Sequence, residues 1–147
     1  MAINIGFIGY SAGKFDKQIA QRIINEIFQE ISDKYKNEEI VVVSGATYVG
    51  IPALVYDTAS DYKYKTVGVM CKEGYECDLY FCDEIYAVGE NWGDESETFI
   101  DMIDVLYRIG GGKQSFHEVI MARNNHIPVH EYDLEEIKKE DGKNYLH

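Results

Sequence analysis

The chain has 147 residues, which fits a single domain (residues 1–147), and 46% of them are hydrophobic, enough for a core on both faces of a sheet. Its formal net charge of −12 opposes the phosphate neutralisation that a nucleic acid or an anionic membrane surface requires, so neither is expected as a partner. A small phosphorylated ligand stays compatible with this charge, because backbone N–H groups at a helix N-terminus can hold it locally.

The N-terminus lacks the basic region and the cleavage site of a signal peptide, and no apolar run reaches the length of a membrane span. We therefore expect a cytoplasmic protein. The cysteines are odd in number, and their spacing matches no common zinc or redox motif. This pattern predicts reduced structural thiols at Cys71, Cys77 and Cys82.

The first half of the chain predicts alternating strands and helices. An apolar strand over residues 3–9 leads into a glycine-bearing loop, and a helix begins after Asp16, the expected N-cap. The apolar stripe of this helix consists of residues four apart: Ile19, Ile23, Ile27 and Ile31. The β-branched run at residues 40–43 predicts a strand buried on both faces, and a second helix is expected over residues 51–60.

The second half continues this alternation. Strands are predicted at residues 66–71, 84–88, 105–109 and 127–132, and helices at residues 95–103 and 116–124. A polar segment between the first two of these strands predicts a short extra element, and the loop at residues 89–94 is a candidate wall of a ligand site. The charged tail over residues 134–147 is expected to form a surface helix.

These elements predict an α/β protein with a three-layer Rossmann-like fold, in which helices cover both faces of a mostly parallel sheet. Ligands of such folds bind at the carboxyl ends of the strands, near the switch in strand order. Three of the predicted strands end in glycine-bearing loops, which this topology brings to one edge. We therefore expect the three loops to form one pocket.

Glycine lets the backbone approach a phosphate closely, and the helix after each loop offers unpaired N–H groups. The residues expected to bind the phosphate or the rest of the ligand are Gly9, Ser11, Gly45, Thr47, Gly50, Gly111, Gly112, Lys113, Gln114 and Ser115. The alternative is that the loops are ordinary turns between strands and helices, where glycine is common. Trp92 is expected either to stack on a base or to anchor its loop.

The third loop is the most specific of the three, because three successive glycines precede Lys113 and a carboxylate, Glu118, lies about one turn into the next helix. The stretch Gly110-Gly111-Gly112-Lys113-Gln114-Ser115-Phe116-His117-Glu118 resembles the P-G-G-x-G-T-x-x-E motif of the SLOG superfamily, which includes the Lonely Guy phosphoribohydrolases. The segments at residues 44–53 and 67–70 are similar to that family's second glycine-rich turn and third strand. The resemblance extends over about residues 3–132.

The resemblance implies a homodimer and, in its catalytic members, hydrolysis of the N-glycosidic bond of a nucleoside monophosphate. Glu118 matches the motif glutamate that acts together with an arginine. This chain departs from the motif, because Gly110 replaces its proline, Gln114 replaces a glycine, and the arginine position falls near Glu95 and Ser96. The expected catalytic arginine is missing.

Glu118 has an alternative interpretation as a solvated surface glutamate near a helix N-terminus. Three cations are candidates to replace the missing arginine: Arg108, Arg123 and Lys113, of which Lys113 is best placed to meet a phosphate. Four acids suggest a carboxylate metal site, although helix capping and solvation explain them more simply: Asp94, Glu95, Glu97 and Glu118. No metal or cofactor is therefore expected.

Two functions fit these patterns. The first is an enzyme that cleaves the N-glycosidic bond of a nucleotide, with Glu118 stabilising an oxocarbenium-like state or orienting water. The second is a non-catalytic sensor, carrier or sequestering protein for a nucleotide-derived ligand, in keeping with the missing arginine. A deoxyribosyltransferase-like activity has no motif in its favour, and the glycine-rich strand ends disfavour a pure scaffold.

Overall fold

The computed structural model describes residues 1–11 and 14–137. The strands are β1 (Ala2–Gly9), β2 (Glu39–Ser44), β3 (Lys65–Met70), β4 (Glu84–Ala87), β5 (Val105–Ile109) and β6 (Val129–Tyr132). The helices are α1 (Lys17–Lys34), α2 (Gly50–Asp61), α3 (Ser96–Met102) and α4 (Lys113–Asn124), and a short 3-10 helix (Lys72–Glu76) forms the extra element predicted between β3 and β4.

The six strands form one sheet in the order β4-β3-β2-β1-β5-β6, and each neighbouring pair is parallel. The strand order switches between β1 and β5, where Gly9 pairs with Ile109 at the carboxyl ends. Helices α1 and α2 pack on one face of the sheet, and α3 and α4 pack on the other. The predicted three-layer Rossmann-like architecture is confirmed.

The first helix shows how the apolar pattern sets the packing. Asp16 caps α1, because its carboxylate accepts from the backbone N–H groups of Gln18 and Ile19 at 2.9 and 3.2 Å. Ile27 and Ile31 of the predicted stripe are buried, whereas Ile19 is 42% exposed. Four residues exceed one helical turn by about 40°, so a strict four-residue spacing rotates its first member off the packed face.

Helix α4 begins at Lys113, three residues before the predicted start. The apolar periodicity that fixed the prediction does not include the first turn, because Lys113 and Gln114 are polar and exposed. The glycine loop is therefore shorter than expected. Its last residue, Gly112, is the N-cap of α4, and Ser115 lies on the helix.

The predicted tail helix is wrong for residues 134–137, the described part of that segment, which form no regular structure. Their backbone is bonded to the loop after β1: Tyr10 Oη donates to the Leu134 carbonyl at 2.7 Å, and Ile137 N donates to the Lys14 carbonyl at 2.7 Å. Residues 138–147, on which the rest of that prediction falls, lie outside the described residues. None of the described helices is both long and apolar enough to cross a bilayer.

Candidate functional site

A cavity of about 410 Å³ opens at the carboxyl ends of β1, β2 and β5, which is a volume typical of small-molecule sites. Eleven of the sequence-predicted site residues line it: Gly9, Ser11, Gly45, Thr47, Trp92, Gly111, Gly112, Lys113, Gln114, Ser115 and Glu118. The three loops therefore do meet at one edge of the sheet. Gly50 is not part of the lining.

The N-terminus of α4 forms one wall of this cavity. Gly112 is the N-cap, and no side chain of the described residues caps the helix, so the N–H groups of its first turn are available to a ligand. Gly111 has φ +107°, and a Cβ there would lie 2.4 Å from Ser115 Oγ. This combination of open N–H groups and a close backbone approach is suited to an anion.

Gly110 explains one departure from the SLOG motif. It has φ +62°, which is inaccessible to the proline of the motif because the proline ring fixes φ near −65°. A Cβ at Gly110 would also lie 2.4 Å from Cε2 of Tyr10. The loop after β5 therefore follows a different backbone path at this residue, and the Tyr10 ring packs directly against it.

The N-terminus of α2 differs from that of α4. Its Ile51 N–H donates to the Tyr10 carbonyl at 2.7 Å, and Pro52 has no N–H group. Gly50 has φ +59°, and a Cβ there would lie 2.1 Å from the same carbonyl oxygen. Gly50 thus joins the second loop to the first, and α4 is the helix that offers donors to the cavity.

The other two glycines of the lining have distinct environments. A Cβ at Gly9 would lie 2.3 Å from the Ile109 carbonyl oxygen, so this glycine keeps β1 and β5 close together. A Cβ at Gly45 would meet no protein atom within 4 Å. The space beside Gly45 is therefore open to the cavity, whereas Gly9 is required by packing.

Glu118 projects from the second turn of α4 and is 6% exposed. Its Oε2 accepts a hydrogen bond of 2.8 Å from Ser96 Oγ. Gln114 Nε2 lies 3.4 Å from the same hydroxyl and donates to Glu95 Oε2 at 3.2 Å. The interpretation of Glu118 as a solvated surface residue is wrong, because the packing of α3 against α4 encloses it.

The pKa of Glu118 is raised to about 7, chiefly by burial and also by the nearby charge of Glu95, while the hydrogen bonds from Ser96 and Gln114 oppose the shift. Glu95 itself is 8% exposed, and its Oε1 accepts from the Gly93 N–H at 2.8 Å. The cavity thus contains two buried acids, and one of them, Glu95, stands near the position where the family motif places an arginine. Raised carboxyl pKa values of this kind cluster at functional sites.

The two arginines considered as replacements lie away from the cavity. Arg108 is 4% exposed and donates at 2.8 Å to Glu131, to Asp133 and to the Gly110 carbonyl. Arg123 donates to Glu131 at 2.7 Å. Among the described residues that line the cavity, Lys113 is the one cation.

The other candidate residues from the sequence have separate positions in the structure. Trp92 lines the cavity and is 52% exposed, so its side chain is accessible to a ligand. Asp94 accepts from the N–H groups of Glu90 and Asn91, and it therefore stabilises the turn before α3. Within residues 1–11 and 14–137, no three acids, histidines or cysteines are grouped to hold a metal. The cysteines are free, with Cys71 buried and Cys77 exposed.

Some lining residues had no signal in the sequence. Phe99 and Met70 contribute apolar side chains to the lining, and Tyr10 of the first loop and Glu136 of the C-terminal segment also belong to it. Glu136 belongs to the charged tail, which the sequence assigned to a surface helix. Its place at the cavity depends on the path of residues 134–137 back across the sheet edge.

Fold and cavity together define a Rossmann-like α/β protein with a strand-end site. No family model and no curated protein matches the sequence. The fold is similar to that of TM1055, a structural genomics target, with a TM-score of 0.71 and 21% identity over 86% of this chain and 72% of that chain.

Two further solved structures share the fold. The Moco carrier protein from Chlamydomonas reinhardtii has a TM-score of 0.73 and 17% identity, covering 90% of this chain and 76% of that chain. The molybdenum cofactor binding protein from the phototrophic bacterium Rippkaea orientalis has a TM-score of 0.70 and 19% identity, covering 88% and 75%. At such identities the likeness shows the fold, and it confirms the fold that the SLOG resemblance implied.

Proposed function

We propose that this protein binds a phosphorylated, nucleotide-like small molecule in the cavity and holds it without chemical change, as a carrier, sensor or sequestering protein. The observation that carries this proposal is the uncapped N-terminus of α4, which forms part of the cavity wall. The phosphate binds the N–H groups of the first turn, assisted by the side chains of Lys113 and Ser115. The heterocycle stacks against Trp92.

The replacement of the motif arginine favours binding over catalysis. Glu95 and Ser96 stand at that position, and a serine hydroxyl bonded to Glu118 cannot supply the missing positive charge. Two of the solved structures with this fold are named as a carrier and a binding protein for the molybdenum cofactor. Their names support a carrier role and place the molybdenum cofactor among the ligands to be tested.

A second candidate function is hydrolysis of an N-glycosidic bond. It is favoured by the buried carboxyl of Glu118, whose pKa of about 7 suits a group that exchanges protons near neutral pH. Negative charge on Glu95 and Glu118 would stabilise an oxocarbenium-like transition state. In this reaction Glu118 orients the attacking water, and the loops hold the ribose phosphate.

One experiment separates the two functions. Small molecules released by denaturing the purified protein are identified by mass spectrometry, and native protein is incubated with nucleoside monophosphates and analysed for free base. The variants are Glu118→Gln and, as a matched control outside the cavity, Glu97→Gln, an exposed residue of α3. An intact phosphorylated ligand without turnover supports the binding function, whereas base released by the wild type and Glu97→Gln but not by Glu118→Gln establishes hydrolysis.

The homodimer implied by the resemblance stays a prediction, as does the cytoplasmic location. Phe116 and Ile120 are 49% and 57% exposed on one side of α4 and supply an apolar surface for self-association. Sedimentation of the wild type and of Ile120→Glu tests the dimer. A dimer that becomes a monomer in the variant is the expected result.

A further inference from the structure

We propose that the cavity selects ligands whose heterocycle presents two adjacent N–H donors, and that the Glu118 carboxylate accepts hydrogen bonds from these donors. The matching chemistry is the 2-amino-4-oxopyrimidine edge, which guanine nucleotides and pterins share. This inference rests on the proposed binding function. It adds the chemical class of the heterocycle that the ligand carries besides its phosphate.

The Glu118 carboxyl group accepts hydrogen bonds from the protein and also lines the cavity. Ser96 Oγ donates to Oε2 at 2.8 Å, and a hydrogen bond from the Gln114 side chain also lowers the pKa of this carboxyl group. Glu118 lines the cavity, and none of the fully buried side-chain oxygens of residues 1–11 and 14–137 lacks a partner. A carboxylate has about four acceptor sites, so Glu118 can accept further hydrogen bonds from a ligand in the cavity.

Glu95 strengthens the preference for donors. Both of its oxygens already accept hydrogen bonds, from Gly93 and Gln114, and each oxygen has a second lone pair. Its charge makes the local potential negative beside Glu118. An edge that presents a ring nitrogen acceptor, as adenine does, is repelled there, whereas an edge with N–H donors is attracted.

Two neighbouring parts of the cavity therefore favour two different groups of the ligand. The first turn of α4 and Lys113 attract an anion, and the acids attract donors. Ser115 and Glu118 are three residues apart on α4, a rise of roughly 4.5 Å, and so lie on the same side of the helix. One small molecule with a phosphate at one end and a donor edge at the other satisfies both.

The ionisation of Glu118 determines how the affinity for the ligand depends on pH. Its pKa of about 7 means that the empty site is partly protonated near neutral pH. Two N–H donors bind the ionised form, so binding releases a proton and becomes tighter as the pH rises through about 7. A ligand that instead accepts a hydrogen bond from the protonated acid shows the opposite dependence.

The test is calorimetric titration of the full chain with GMP, IMP, AMP, neopterin phosphate and ribose 5-phosphate. IMP differs from GMP by the exocyclic amine alone, and ribose 5-phosphate reports on the phosphate end without a heterocycle. We expect GMP or neopterin phosphate to bind at least about tenfold more tightly than IMP and AMP, because a hydrogen bond to a buried charged group is strong. Which of the two binds distinguishes a guanine from a pterin source.

In Glu118→Gln we expect this preference to fall to about threefold or less, with ribose 5-phosphate affinity unchanged, and in Glu97→Gln we expect no change. The wild type provides a check that needs no variant: its preference for the donor edge increases with pH through about 7. Binding of ribose 5-phosphate with equal affinities for GMP, IMP, AMP and neopterin phosphate overturns this inference alone. Failure of all phosphorylated probes to bind overturns the proposed function as well.

Discussion

Ser96 Oγ donates a 2.8 Å hydrogen bond to Glu118 Oε2, linking the first residue of α3 to the second turn of α4. This serine stands near the position where the SLOG motif leads one to expect an arginine. A hydroxyl satisfies one carboxylate oxygen without neutralising its charge, so Glu118 is a buried acid without a cationic partner among its hydrogen bonds with the described residues. Its raised pKa follows from this environment.

The first prediction concerns the Ser96 hydroxyl. Ser96→Ala removes a hydrogen bond that lowers the pKa of Glu118, so that pKa should rise above about 7. Carbon NMR of the glutamate carboxyl groups during a pH titration measures it. Ser60→Ala, on the exposed side of α2, is the control and should leave the Glu118 titration unchanged. An unaltered pKa in Ser96→Ala would show that the hydroxyl does not bond to the carboxylate in solution.

The second prediction concerns stability and pH. Because the pKa of Glu118 is about 7 in the folded protein against 4.5 ordinarily, the folded state retains a proton that the unfolded chain releases. This contribution to the free energy of unfolding is complete below pH 4.5 and is lost as the pH rises to about 7. The loss amounts to about 3 kcal/mol.

Denaturant unfolding at several pH values checks this effect. Glu118→Gln should remove the decrease between pH 4.5 and about 7, and above that range it should be more stable than the wild type. Glu97→Gln changes the same charge on an exposed side chain and should keep the wild-type dependence. Parallel curves for wild type and Glu118→Gln would contradict the burial of this carboxyl.

The third prediction concerns Arg108, which is bonded to the loop after β5 and is not part of the cavity lining. Its guanidinium donates to Glu131 and to the Gly110 carbonyl, and it lies 4.6 Å from the centre of the Phe116 ring on α4. Arg108→Lys keeps the charge but cannot make this set of planar contacts. We expect a loss of about 2 to 4 kcal/mol in the free energy of unfolding.

Arg123→Lys is the matched control, because Arg123 also pairs with Glu131 but its side chain is 57% exposed. Its loss should stay below about 1 kcal/mol. Urea unfolding of both variants measures the difference. Equal losses in the two variants would mean that the buried guanidinium has no special part in holding the loop.

The sequence was sufficient to predict the order of strands and helices, because apolar runs such as residues 40–43 have one periodicity and the α1 stripe has another. The meeting of the three glycine loops was also predictable, since parallel strands bring their carboxyl ends to one edge. Gly111 and Ser115 could be assigned to that edge from the motif alone.

The burial of Glu118 could not be predicted, because it depends on contacts with residues more than one element away in the chain. Ser96 precedes it by 22 residues, and nothing in the local pattern of α4 distinguishes a buried glutamate from an exposed one. The ion pair of Arg108 could not be predicted either. Its partner Glu131 lies beside it in the register of β5 and β6, and this pairing requires the strand order to be known. Gly50 was predicted to bind the ligand, but it does not line the cavity. Its close contact with the Tyr10 carbonyl has no signal in the sequence.

The fourth prediction concerns Gly112, the N-cap of α4. Its φ is −106°, and a Cβ there would meet no protein atom within 4 Å, so other residues fit without strain. Gly112→Asp and Gly112→Asn both cap the helix and should raise the free energy of unfolding by a few tenths of a kcal/mol or leave it unchanged. Their side chains have nearly the same shape, and they differ in charge.

The affinity of these two variants for ribose 5-phosphate, measured by calorimetry beside the wild type, tests most directly whether the cavity binds phosphate at α4. We expect Gly112→Asp to lose at least about tenfold in affinity and Gly112→Asn to lose less, because a carboxylate at the N-cap both occupies the N–H groups and repels the phosphate. Binding by the wild type with no loss in Gly112→Asp would contradict a phosphate site at this helix.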